Sequence, residues 1–151
     1  MKKLFYLFLI FCFTSNLIVG INKHEPVIQE IGSVVVNKLE SFIKEKKFQA
    51  DEALMYPGIN SKTLKTKLSD LINESARDFM QLASANASEE EYQAKIKSGL
   101  ERFDPYYTEL NSEDLDRIYR YYEQLIDIVS LKNQGTHLKK WRYGSVAPSK
   151  K

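Results

Sequence analysis

Apolar residues recur at three- and four-residue steps in four segments of this 151-residue chain, and no segment shows convincing strand alternation. That spacing places one apolar stripe on each of four helices, so the chain has to bury helix faces against one another. The first segment runs from about Glu25 to Lys47, with Val27, Ile31, Val34, Val35, Leu39, Phe42 and Ile43 on the stripe. Pro26 suits its first turn, where a missing N–H costs nothing. Val34-Val35-Val36 reads locally as a strand, but the stripe continues past it in helical register. The second segment, about Ser61 to Ala83, carries Leu64, Leu68, Leu71, Ile72, Phe79 and Leu82, with Asn60 or Ser61 as its cap. Ser75 and Ala76 lie on or near that stripe and allow close approach of a neighbour. The third opens on Ser88-Glu89-Glu90-Glu91, a capping box, and presents Tyr92, Ile96, Leu100 and Phe103 before Asp104-Pro105 stops it. The fourth, about Ser112 to Leu131, packs Leu115, Ile118, Tyr119, Tyr122, Leu125, Ile126 and Val129 inward, and Gly135 is placed to end it. The expectation is a single all-α domain of about four helices, bundle-like, over residues 21–145, with a frayed tail at 146–151.

The first twenty residues are of another kind. Lys2-Lys3 precede an apolar run of ten residues, Leu4 to Phe13, and Thr14-Ser15-Asn16 lead to Leu17-Ile18-Val19-Gly20. A basic n-region, an apolar h-region and an exit at Gly20 predict a cleaved secretory signal over residues 1–20, hence an exported protein. The run is well short of the roughly 20 residues that span a bilayer. An uncleaved N-terminal anchor is the alternative, because Ile18-Val19-Gly20 is a poor small-x-small site; lipidation at Cys12 would want a small residue where Phe11 stands. Cys12 is the sole cysteine. A mature chain starting near Ile21 therefore has no disulfide, Cys-ligated zinc or thiol nucleophile, and must rely on its apolar core. Loss of Lys2 and Lys3 takes Lys+Arg from 22 to 20, equal to Asp+Glu at 20, so the formal charge falls from +2 to zero. A neutral, mixed surface argues against a nucleic-acid partner, which calls for a basic face.

Catalytic and metal signatures are absent from the sequence. His24 and His137 stand far apart without ligand-spaced neighbours, and there is no HExxH, nucleophile elbow, phosphate loop or EF-hand. No cofactor is expected. Two connecting segments are more apolar than loops need to be: Ala53 to Ile59, whose Pro57-Gly58 pair suggests a turn, and His137 to Gly144. Capping of the core is the commoner role for such residues. The functional alternative is that Tyr56, Trp141 and Tyr143 line a groove for a protein or peptide partner. Tyr106, Tyr107 and Tyr121 are read as exposed tyrosines of a recognition surface. Asp116, Arg120, Glu123 and Asp127 share one helix face; a solvated ion-pair ladder is the commoner role, a carboxylate–arginine site the sharper one.

Three short motifs, Ala53-Leu54-Met55-Tyr56-Pro57-Gly58-Ile59, Gly99-Leu100-Glu101-Arg102-Phe103 and Trp141-Arg142-Tyr143-Gly144, together with Asp127-Ile128-Val129, resemble those of a family of small bacterial proteins of unknown function. The resemblance spans about Val27 to Gly144. It implies a compact helical domain and brings no activity, cofactor or site residues. The functional expectation is therefore a non-enzymatic exported module binding a protein or peptide through Tyr56, Trp141 and Tyr143, with an inhibitor or immunity-type role included. The alternative is a small ligand-binding or hydrolase-like protein using Arg120, Glu123 and Asp127.

Overall fold

The computed structural model describes residues 25–132 and 135–144, with the backbone alone for 25–31. The signal segment, the 146–151 tail and the side chains of Val27 and Ile31 lie outside the described residues. Five α-helices follow in order: α1 (Glu25–Lys44), α2 (Lys62–Ser84), α3 (Glu89–Glu101), α4 (Ser112–Ile128) and α5 (His137–Tyr143), with 3-10 turns at Glu52–Leu54 and Asp104–Glu109. Among the described residues no helix is long and apolar enough to cross a membrane. Helix α2 packs against α1, α3 and α4, while α5 lies across α3 and α4.

Local chemistry accounts for the helix ends. Ser61 caps α2 by accepting the Leu64 N–H, and Ser88 with Glu91 forms the capping box of α3. A second capping box, Asn111 with Asp114, starts α4. Asn86 ends α2 in the left-handed region at φ 50°, with Ala87 N–H donating to Leu82 O and Asn86 N–H to Ala83 O, a Schellman arrangement. The same pair of bonds ends α4 at Ser130, φ 54°, where Leu131 N–H reaches Ile126 O. The stop therefore comes at Ser130, ahead of the expected Gly135.

The stripes meet as their spacing predicts except at Val34, which stands on the predicted α1 stripe but is exposed, because it lies at the edge of a cleft between α1 and α4. Leu39, Phe42, Leu68, Ile72, Phe79, Ile96, Leu100, Phe103, Ile118, Tyr122, Leu125 and Ile126 form one buried core. Two side-chain clusters pin the helices inside it. Gly99 on α3 leaves room for the buried Tyr122 hydroxyl, which donates to Ser75 Oγ at 2.8 Å while Ser75 donates to Leu71 O. Arg102 beside them reaches Ser75 Oγ and bonds Asp78 at 2.7 Å. The second cluster is Lys47, almost fully buried beyond the end of α1. Its ammonium caps that helix by donating to the Phe42 and Glu45 carbonyls and lies 3.8 Å from the centre of the Phe42 ring.

Three expectations are corrected. The chain from His137 forms a helix of seven residues, α5, because Leu138 is buried and Trp141 packs edge-on to Phe103 and Tyr107. Tyr121 is buried, because its ring packs against Phe42 and Phe48 from the α1–α2 connection. The turn in that connection is made by Asp51 and Tyr56, whose backbones exchange N–H···O bonds of 2.8 and 2.9 Å, and Pro57-Gly58 follows it outside the turn. Gly58 at φ 78° passes so close to Ala50 N that a Cβ would sit 2.7 Å away.

Candidate functional site

The α1–α2 connection positions one edge of the site. Phe48, Tyr56 and Ile59 are buried and anchor it to the bundle, whereas Leu54 and Met55 ride exposed at the tip of the Asp51–Tyr56 turn. Met55 is 88% exposed and takes φ 50°, ψ 32°, an unusual backbone conformation for a bulky residue.

Arg117 of α4 ties this turn down. Its Nη1 donates to Asp51 at 3.1 Å, its Nε donates to the Tyr121 hydroxyl at 3.1 Å, and its guanidinium lies against the Tyr56 and Tyr121 rings. The Tyr121 hydroxyl also accepts the Phe48 N–H at 2.8 Å. Burial pulls the Arg117 pKa down, and the bonds to Tyr121 and Asp51 outweigh it, so the guanidinium is held charged. Tyr56 donates to Asp114 Oδ1 at 2.8 Å, and burial, then this bond and the carboxylate charge, drive the phenol's pKa well above its ordinary value. Lys47 is shifted the other way: desolvation lowers its pKa against the raising pull of Glu45.

Beyond this anchored edge, two clefts run along α4. A smaller one of about 190 Å³ is lined by Leu54, Arg117, Arg120, Tyr121, Glu123, Gln124 and Asp127. A larger one of about 580 Å³ lies between α1 and α4, with Val34, Lys38, Phe42 and Ile128 among its walls. Gln124 and Asp127 line both, so the two clefts adjoin along α4. The expected ion-pair ladder does not form on this face. Asp116 is taken by Arg142 at 2.6 Å, and among the described residues Arg120, Glu123 and Asp127 make no ion pair.

The six sequence candidates thus separate. Arg120, Glu123 and Asp127 share the small cleft. Tyr56 is 4% exposed, with its hydroxyl committed to Asp114. Trp141 is half-buried against Phe103 and Tyr107, and Tyr143 is exposed, beside the Tyr119 ring and the Arg142 guanidinium. No hydrogen bond or ring contact among the described residues joins Tyr56 to Trp141 or Tyr143. Arg117, Asp51 and Leu54 are the residues that sequence reasoning missed. Arg117 sits beside the apolar stripe of α4, and only its partner 66 residues earlier reveals what it does. Among the described residues no group of three or more His, Asp or Glu is placed to hold a metal ion.

The profile of DUF4844, a domain of unknown function, matches residues 30–146. No curated protein matches the chain. Among solved structures, the crystal structure of a DUF3571 family protein from Acinetobacter baumannii AYE is similar over 77% of this chain and 94% of that one, at 27% identity and a TM-score of 0.70.

Proposed function

The chain belongs to the DUF4844 family, and we propose that it is an exported, non-enzymatic binding module. In this reading it holds a peptide segment of a partner protein, one carrying a basic side chain, in the groove along α4. The observation that carries it is that Glu123 and Asp127 line the smaller cleft without an ion-pair partner among the described residues. A lysine or arginine of the peptide meets those carboxylates, and Arg120 accepts an acidic neighbour. Exposed Val34 and Leu54, along the same groove, offer apolar contact to the flanking residues. The exposed Asp127 suits recognition better than acid–base chemistry. Export rests on Lys2-Lys3 and the apolar run after them.

Selection of peptides displayed on phage against residues 21–151 tests the reading. The enriched peptides are expected to share a basic residue and to bind the Glu123→Gln/Asp127→Asn variant at least about tenfold more weakly, in line with two lost charge pairs. Enriched peptides that bind the variant as tightly as the wild type would refute it.

A further inference from the structure

A second cleft, of about 410 Å³, lies between α3 and α5 and shares no lining residue with the α4 groove. Leu100 and Trp141 supply its apolar lining, and Lys97, Glu101, His137 and Lys140 supply its polar groups. The volume falls in the ordinary range for small-molecule sites, which are apolar with a few charged or polar groups at the edge. The charges are unbalanced. Lys97 lies 3.8 Å from Glu101 and offsets that carboxylate. Lys140 then has no carboxylate within ion-pair distance among the described residues, and His137 adds a further donor. The indole is held in place by edge-on contacts with Phe103 and Tyr107, so its position is fixed before anything binds.

We infer that this cleft binds a small organic anion with an aromatic body, the ring against Trp141 and Leu100 and the acidic group against Lys140, while Lys97 offsets the Glu101 carboxylate that would otherwise repel it. The class follows from the pairing of an aromatic wall with excess basic charge: a neutral aromatic leaves Lys140 unanswered, and an inorganic anion leaves the indole uncovered. The site is independent of the peptide groove, so either can fail without the other.

Trp141 is the sole tryptophan of the chain, which makes it a reporter for its own cleft. The probes are 8-anilino-1-naphthalenesulfonate and its uncharged counterpart N-phenyl-1-naphthylamine, titrated into the mature protein with excitation of the indole. The sulfonate is expected to saturate a single site with energy transfer from Trp141 and to bind about tenfold more tightly than the neutral amine. Lys97→Gln/Lys140→Gln is expected to erase that preference while leaving the melting temperature unchanged, and Lys97→Arg/Lys140→Arg to keep it. Equal affinity for the two probes, absence of saturable transfer, or an unaltered preference in the Gln variant would each overturn the inference.

Discussion

Replacement of Gly99 by alanine is the sharpest probe of how α3 meets α4. Alanine is the better helix former by about 1 kcal/mol, so on helix propensity alone the substitution stabilises the protein. The packing says otherwise. A Cβ at position 99 would stand well under 3.0 Å from the Tyr122 hydroxyl and 3.0 Å from Ser75 Oγ. Tyr122 is fully buried, and its hydroxyl has a bond to Ser75 to lose. Overpacking a tight core costs about 1–3 kcal/mol and a stranded buried hydroxyl about 1–3 kcal/mol. Set against the propensity gain, the net loss is about 3 kcal/mol, a fall in melting temperature on the order of 10 °C for a domain of this size. The assay is a double-mutant cycle with Tyr122→Phe, read by urea or thermal denaturation. Removing the hydroxyl removes the nearest clash, so Gly99→Ala should cost less than about 1 kcal/mol in that background. A Gly99→Ala protein as stable as the wild type, or equal costs in both backgrounds, would refute the reasoning.

Trp141→Ala should lower stability by about 2–3 kcal/mol, since the half-buried indole loses its contacts with Phe103 and Tyr107; an unchanged melting temperature would show that the indole does not anchor α5. Asp114→Ala should cost more than Tyr56→Phe, about 2–3 against about 1–2 kcal/mol, because Asp114 both accepts from Tyr56 and closes the cap of α4. Raised pKa values for Tyr56 and Tyr122 predict alkaline destabilisation. Above the ordinary phenol value of 10.0 the unfolded chain sheds tyrosyl protons that the folded one keeps, so stability is full below about pH 10 and falls beyond it. Lys47 opposes this: its lowered folded pKa means the unfolded state binds more protons below 10.5, so stability rises with pH there, and Lys47→Met should steepen the alkaline loss. Urea midpoints at pH 8, 10 and 11, with phenolate absorbance, check both signs.

The four long helices were legible because each has a stripe long enough for its period to show, and the Ser88–Glu91 box because its partners are three residues apart. What escaped was set by contacts between distant residues. Tyr121 lies off the α4 stripe and is buried only because Phe48 arrives over it. The Arg117–Asp51 and Tyr56–Asp114 bonds join residues 66 and 58 apart, beyond any periodicity. Helix α5 was hidden by its length, since seven residues hold too few turns for a stripe, and its place is set by Phe103 and Tyr107. On the candidate site, the spacing of Arg120, Glu123 and Asp127 put them on one face; the diversion of Asp116 to Arg142 decides that they form no ladder.

The binding role of the α4 groove is tested most directly by photocrosslinking in the cells that produce the protein. A benzophenone amino acid replaces Gln124, which lines both clefts, or Glu90, an exposed residue of α3 outside them. Partner adducts are expected from position 124 and not from position 90, and they should disappear when Glu123→Gln/Asp127→Asn is added. Adducts equally abundant from both positions, or none from position 124, would contradict a groove built to hold a partner.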